Sequence, residues 1–267
     1  MKKSLALLLL SSATVFGGEL PELFEKPWMA WYSGYEGKKM HFGVAPDGQA
    51  SLIPIDEKSK DRISQGNWLS IRPVILETMP DGRDVVKSAI EDGWEAITPE
   101  SNEAEEVKYR GTVTGGAKYE VHYQVDDGEI IASGQILDKG ELTENPIRFA
   151  IRVIIPNVYR HVDEEEKLLE RAEDDRFDFV KVDKKKAKFK GDETVEAVAK
   201  ECGPFRYLRA EIENYNGGRF EFDAGDIGQF EFEKPDADLI AKGFTLVWTP
   251  DPAKNAGGKG KMLLEYK

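Results

Sequence analysis

The stretch KYEVHYQVDDGEIIASGQIL, residues 118–137, decides the fold. Its first half alternates apolar residues (Tyr119, Val121, Tyr123) with polar ones, so one face of a strand is apolar and the other polar. The residues DDG then reverse the chain, and Gly128 suits the left-handed position of a short hairpin loop. The stretch therefore predicts an antiparallel β-hairpin.

Similar alternation recurs on both sides of this hairpin. The further predicted strands lie at 38–55 (two strands around a turn), 68–77, 147–155, 205–212, 219–223, 229–233, 244–248 and 262–266. Many short strands separated by turn residues are typical of an all-β fold. We predict an antiparallel β-sandwich, either one extended sandwich or two β lobes. Residues 84–98 fit a strand or a short helix equally well.

One short acidic helix interrupts this pattern. In DEEEKLLERAEDD, residues 163–175, Asp163 can cap a helix and Glu166 can complete a capping box. We place the boundaries there: an N-terminal β lobe at 18–160, a helical connector at 161–175 and a C-terminal β lobe at 176–267.

The first 17 residues resemble a secretory signal. A basic start, Met1 to Lys3, precedes a short apolar stretch, and small residues end it at Gly17. The apolar run is shorter than the ~20 residues that a spanning helix needs. We expect an exported protein, periplasmic or secreted, with a signal peptide at 1–17 and no membrane span in the mature chain.

Charge narrows the classes of partner. The chain has 50 acidic against 37 basic residues, a formal charge of −13. Such a surface repels phosphate backbones and anionic lipid, so we expect no nucleic-acid partner.

An aromatic cluster lies near the start of the mature chain, and it supplies the candidate ligand-binding residues: Trp28, Trp31, Tyr32 and Tyr35. Two interpretations stay open. The rings form a stacking platform for a sugar or a peptide, or they fill the core, as large aromatics mostly do. We place Trp31 in the core and expect Trp28, which follows Pro27, to be the better platform candidate.

Motifs of catalysis and metal binding are missing from the sequence. There is no G-x-S-x-G, no H-E-x-x-H and no phosphate-binding glycine loop. The three histidines, His41, His122 and His161, are far apart in sequence, and the single cysteine, Cys202, is expected to be a buried thiol. We therefore predict no metal site and no cofactor, and no catalytic residue can be assigned.

Carboxylates are too abundant to single out one site. Glu211 and Glu213 lie on one face of a predicted strand, but residues i and i+2 are only ~7 Å apart, which suits neither glycosidase geometry. Four aspartates, Asp223, Asp226, Asp236 and Asp238, fit either a calcium site or ordinary turns. Turn chemistry is the favoured interpretation.

Three functional hypotheses follow. The leading one is an exported non-catalytic protein that binds a glycan or a cell-envelope partner through the aromatic segment 28–35 or through exposed strand faces. The alternatives are a carboxylate-dependent hydrolase of extracellular polysaccharide and a structural envelope component. The oligomeric state stays open.

Overall fold

The computed structural model describes residues 18–63 and 66–267, so the predicted signal peptide at 1–17 lies outside the described residues. The strands are β1 (Ser33–Glu36), β2 (Met40–Val44), β3 (Ala50–Pro54), β4 (Leu69–Thr78), β5 (Asp84–Lys87), β6 (Ala89–Ala96), β7 (Glu106–Val113), β8 (Lys118–Asp126), β9 (Glu129–Asp138), β10 (Ile147–Ile155), β11 (Arg176–Lys181), β12 (Lys186–Lys190), β13 (Phe205–Glu211), β14 (Arg219–Asp223), β15 (Gly228–Phe232), β16 (Phe244–Pro250) and β17 (Met262–Tyr266). The α-helices are α1 (Glu165–Ala172) and α2 (Val195–Cys202), and 3-10 turns lie at Glu213–Tyr215 and Ile240–Lys242.

The strands join into one curled antiparallel sheet with two halves. The first half runs β1-β2-β3-β4-β10-β16-β15, with β5 on the far end of β4. The second half runs β6-β7-β8-β9-β17-β14-β13-β11-β12. The pair Phe205–Phe230 joins β13 to β15. The predicted all-β, sandwich-like architecture and the central hairpin, β8–β9, are confirmed.

The core lies between the two halves. Alternate side chains of β4 and β10, such as Ile71 and Val153, share one buried cluster with Tyr119 and Tyr123 of β8. We call the face of the first half that packs on this cluster its inner face, and the opposite face its outer face. The alternation that predicted the strands is therefore an alternation between these two faces.

A proline lies inside the long central strand β4. Pairing with β3 ends at Ile71, and pairing with β5 begins at Ile75. Pro73 lies in the gap between them. Because neither β3 nor β5 pairs with Pro73, its missing N–H costs no hydrogen bond on that side of β4. The proline thus marks an interrupted ladder.

The helices differ from the prediction in two ways. Helix α1 begins at Glu165, and the residue that caps it is Glu164, whose side chain makes no capping hydrogen bond, so the predicted capping box at Asp163 is wrong. A second helix, α2, was not predicted. The Thr194 side chain accepts a hydrogen bond from Ala197 N at 3.2 Å and caps this helix.

Strands on both sides of the predicted connector pair with one another. Strand β10 pairs with β16, and β17 pairs with β9. One hydrogen-bonded sheet therefore links the predicted lobes 18–160 and 176–267, and α1 lies in the predicted connector. Among the described residues, no helix has the length and apolar character needed to cross a membrane.

Candidate ligand-binding surface

The four predicted aromatic residues divide between the two faces of the sheet. Tyr32 and Tyr35 pack on the main core. Trp28 and Trp31 pack instead with Ile53 in a separate cluster on the outer face. The structure therefore brings the two tryptophans together and separates them from the two tyrosines.

Trp28 fills a space that two glycines leave open. A Cβ atom at Gly34 or Gly43 would lie 2.0 Å or 2.6 Å from the Trp28 ring. These glycines sit in β1 and β2, and they let the indole lie flat against the sheet. Trp28 is 0% exposed. Its ring has no face left for a ligand, which differs from the expectation that Trp28 is the better platform residue.

Trp31 lies beside Trp28 and is half-buried. Its ring meets Trp28 edge to face, with centroids 5.3 Å apart and planes at 81°. On its other side lies Trp68, at 6.4 Å and 47°. Trp31 is therefore part of an outer aromatic surface and not of the core predicted from its size.

Trp68 was missed as a site residue, although the sequence contains a signal for it. In WLSIRP, Leu69 and Ile71 point to the core, so Trp68 and Ser70 belong to the opposite face by period two. Trp68 is half-buried, and the guanidinium of Arg62 lies 5.3 Å from its ring centroid. This distance is a cation–π contact.

We call Trp31, Trp68 and Arg62 the tryptophan surface, and the buried Trp28 adjoins it. His41 of β2 closes one side, with its ring 6.1 Å from that of Trp28. Burial lowers the pKa of His41, so its ring is neutral at neutral pH. The surface therefore offers two partly exposed indoles and one fixed cation.

The two tyrosines have different surroundings. Tyr32 is fully buried, contacts Tyr109 edge to face at 6.4 Å, and donates a hydrogen bond to the carbonyl of Thr98. Tyr35 is half-buried, and burial followed by the nearby Asp127 carboxylate raises its pKa. Tyr32 therefore cannot contact a ligand from solvent in this arrangement.

The predicted carboxylate pair does not form a catalytic geometry. Glu211 ends β13 and pairs with Arg209, whereas Glu213 belongs to the following 3-10 turn. The carboxyl whose pKa is raised, to about 6 by burial, is Asp175, which is 0% exposed. A substrate in solvent cannot reach that acid.

Two of the four predicted aspartates make hydrogen bonds within their own turns. Asp223 accepts from Gly225 N at 2.7 Å, and Asp236 accepts from Asp238 N at 3.0 Å, which is turn chemistry. Within residues 18–63 and 66–267, no three His, Cys, Asp or Glu side chains converge on a metal-sized site. Cys202 is buried at the end of α2, and burial raises its thiol pKa to about 12.

A depression of about 520 Å³ also lies on the outer face, beyond the tryptophan surface. Its floor is apolar, from Leu76, Val86 and Val247. Charged residues of its lining are already engaged: Arg148 pairs with Asp84, and Glu233 pairs with Arg152. These internal ion pairs make this depression the weaker candidate.

Comparison with known proteins shows a similarity of fold between this chain and solved structures. No protein-family model and no curated protein sequence matches the chain. The α-N-acetylgalactosaminidase NagBb from Bifidobacterium bifidum, in its Gal-NHAc-DNJ complex, matches with a TM-score of 0.50 and 12% identity over 88% of this chain and 35% of that chain. Its GalNAc complex gives a TM-score of 0.47 at 12% identity, with the same coverage. A galactose mutarotase related enzyme from Lactobacillus acidophilus gives 0.44 at 9% identity, over 88% of this chain and 96% of that chain.

These structural neighbours are a carbohydrate-active enzyme and a galactose mutarotase-like protein. The chain spans about a third of the length of NagBb. At these identities the likeness concerns the β-sandwich fold.

Proposed function

We propose that the protein is an exported, non-catalytic glycan-binding protein whose tryptophan surface stacks against sugar rings. The observation that carries the proposal is the pair of partly exposed indoles, Trp31 and Trp68, whose ring centroids lie 6.4 Å apart on the outer face. The C–H groups of a sugar ring form an apolar face that packs on an aromatic ring, while the hydroxyls bind polar groups at the edge. Arg62 supplies such donors.

The proposal fits the charge of the chain. With a formal charge of −13, the protein attracts neither nucleic acid nor anionic lipid. Binding of a neutral glycan does not depend on that charge. A cation–π contact also fixes Arg62 over Trp68 before any ligand arrives, which reduces the entropy lost on binding. Export, predicted from residues 1–17, would bring the surface to extracellular or envelope glycans.

A glycan array followed by titration calorimetry tests the proposal. N-acetylgalactosamine-terminated glycans, named for the sugar of the similar enzyme, belong on the array beside neutral plant and bacterial polysaccharides. We expect Trp68→Ala to weaken binding at least tenfold, since loss of one stacked ring removes about 1–3 kcal/mol in analogous stacking.

The matched control is Tyr207→Ala, an aromatic residue of similar exposure in β13, on the other half of the sheet. It should bind like wild type. Absence of binding to every glycan, or equal loss in both variants, contradicts the proposal. Release of reducing ends from a polysaccharide would instead favour the hydrolase alternative.

A further inference from the structure

A pocket formed by loops adjoins the tryptophan surface through Arg62. It encloses about 620 Å³ and opens to solvent where the loops after β3, after β10 and after β13 meet. We call it the loop pocket. The lining residues that matter here are Asp56, Asp61, Arg62, Asn67, Arg160 and Asn216.

The walls of the loop pocket are fixed to each other by hydrogen bonds. Tyr215 Oη donates to the carbonyl of Asn67 at 2.8 Å, which ties the third loop to the first. Asn214 Nδ2 donates to the carbonyl of Val158 at 2.6 Å, which ties the third loop to the second.

A buried carboxylate makes a second tie between the same two walls. Asp175 Oδ1 accepts from Tyr159 Oη at 2.9 Å and from Glu213 N at 2.8 Å. Tyr159 precedes Arg160 in the second loop, and Glu213 precedes Asn214 in the third. Connecting loops are ordinarily the mobile part of a fold, so these hydrogen bonds preorganise the described residues around Asn67, Val158 and Asn214.

The chemistry of the lining selects the ligand. Two carboxylates, Asp56 and Asp61, balance two guanidinium groups, Arg62 and Arg160, and asparagine residues line the same pocket. Hydrogen bonds from the backbone N–H groups of Ser59 and Lys58 lower the pKa of Asp56, which keeps it ionised. Donors and acceptors in balance, without net charge, suit the hydroxyls of a neutral sugar better than a carboxylate or a sulfate.

Arg62 makes the pocket and the surface continuous. Its guanidinium lies over the Trp68 ring and also lines the pocket. Asn67, the residue before Trp68, lies on the pocket side. A ligand that contacts the exposed part of Trp68 or the Arg62 guanidinium therefore lies next to the pocket.

We propose that the loop pocket is a second subsite for a neutral sugar residue, so that the protein binds oligosaccharides of two or more residues across Trp68 and the pocket. This inference rests on the proposed glycan binding. It predicts that affinity rises with chain length and that the two parts of the site can be removed separately.

The experiment is titration calorimetry with galacto-, xylo-, cello- and chito-oligosaccharides of one to three residues, with trigalacturonate as the acidic counterpart. The variants are Arg160→Ala and Asn216→Gly, both at exposed positions. Asn216 has φ = 54°, a conformation that glycine adopts without strain, so the second variant removes an amide and keeps the backbone. Arg83→Ala is the control, an exposed arginine in the turn beyond the opposite end of β4.

We expect each pocket variant to lose roughly tenfold in affinity for a trisaccharide, as removal of a charged or polar hydrogen-bonding group does. Monosaccharide affinity should stay within about twofold, and Arg83→Ala should match wild type. If Trp68→Ala weakens binding and the pocket variants do not, the subsite is overturned and the proposed function stands. Tighter binding of trigalacturonate, or equal losses at every chain length, also overturns the subsite. If no glycan binds, both proposals fall.

Discussion

Two aromatic clusters lie back to back on the first half of the sheet, and both include residues of the segment 28–35. On the inner face, Tyr32 joins Tyr109 and Tyr123 between the two halves. On the outer face, Trp28 is also fully buried, whereas Trp31 beside it and Trp68 are only half-buried. Aromatic side chains are therefore fully enclosed in the inner cluster and only partly enclosed at Trp31 and Trp68.

The difference separates stability from recognition. A ring enclosed by two sheets loses all its contact with water, and its substitution leaves a cavity that the surrounding strands cannot close. A ring on the outer face keeps part of its surface available to a ligand. Stability should therefore respond mainly to the inner cluster and to Trp28, and binding should respond to Trp31 and Trp68.

The largest effect should come from Tyr109→Ala in the inner cluster. Tyr109 is 0% exposed, and its hydroxyl donates to the carbonyl of Gly48 at 2.6 Å. Truncation should lower the free energy of unfolding by about 3–5 kcal/mol, as for other large aromatic residues in cores. Urea denaturation measures this loss.

Tyr109→Phe provides the control, because it keeps the ring and removes only the hydrogen bond. We expect it to lose about 1–2 kcal/mol. If Tyr109→Ala loses less than this, the inner cluster is not the rigid core that its burial indicates.

Trp28→Ala should have the next largest effect, about 3 kcal/mol, near the low end for a buried tryptophan because the segment above it can partly collapse. Glycan binding should fall with it, since Trp31 rests edge-on against the Trp28 ring. Denaturation and calorimetry on one preparation measure both quantities. If Trp28→Ala leaves the stability unchanged, the Trp28 ring does not fill the space beside Gly34 and Gly43 in the folded protein.

The sequence predicted one of these clusters better than the other. Period two placed Tyr119, Val121 and Tyr123 on one face because neighbouring positions in a strand must point oppositely. Trp28 and Trp31 precede β1, where no such period applies. Their positions depend on the space beside Gly34 and Gly43. That contact forms only in the folded sheet, so the pattern of neighbouring residues does not predict it.

Two other features were not predicted, and only one of them, helix α2, had a readable signal in the sequence. In helix α2, Thr194 is the N-cap and Gly203 follows the last turn. Val195 and Val198 have the spacing of a buried helix face. The loop pocket, by contrast, joins three loops that are remote in sequence, from Asp56 to Asn216. Only the register of the sheet brings those loops together.

A third test concerns the buried carboxyl behind the loop pocket. Burial raises the pKa of Asp175 to about 6 from an ordinary 3.8, although Glu213 N and Tyr159 Oη donate to it. Between about pH 4 and pH 6 the folded protein holds a proton that the unfolded chain has lost, so this group's contribution to stability falls as pH rises. The fall should be on the order of 2–3 kcal/mol.

Asp175→Asn removes this titration. The difference in unfolding free energy between wild type and Asp175→Asn should therefore change across pH 4–6 and level off above it. Carboxylates with lowered pKa, such as Glu77 and Asp81, are present in both proteins, so their contributions to stability cancel in the difference. A difference that is flat with pH would mean that Asp175 ionises as readily in the folded protein as in the unfolded chain.

The smallest effect on stability should come from Trp31→Ala, which also gives the sharpest test of the comparison. Placement in the core, the interpretation from sequence, requires a loss of about 3–5 kcal/mol. The half-buried ring of the structure has less apolar area to expose, and we expect a loss of about 1 kcal/mol. Binding should nevertheless fall at least tenfold, because half of the stacking surface is gone. Phe24→Ala, at a side chain that is 88% exposed in the same segment, should change stability by less than about 0.5 kcal/mol. If Trp31→Ala proves as destabilising as Trp28→Ala, the outer cluster is a second core, and the recognition of sugars must then depend on Trp68 and the loop pocket alone.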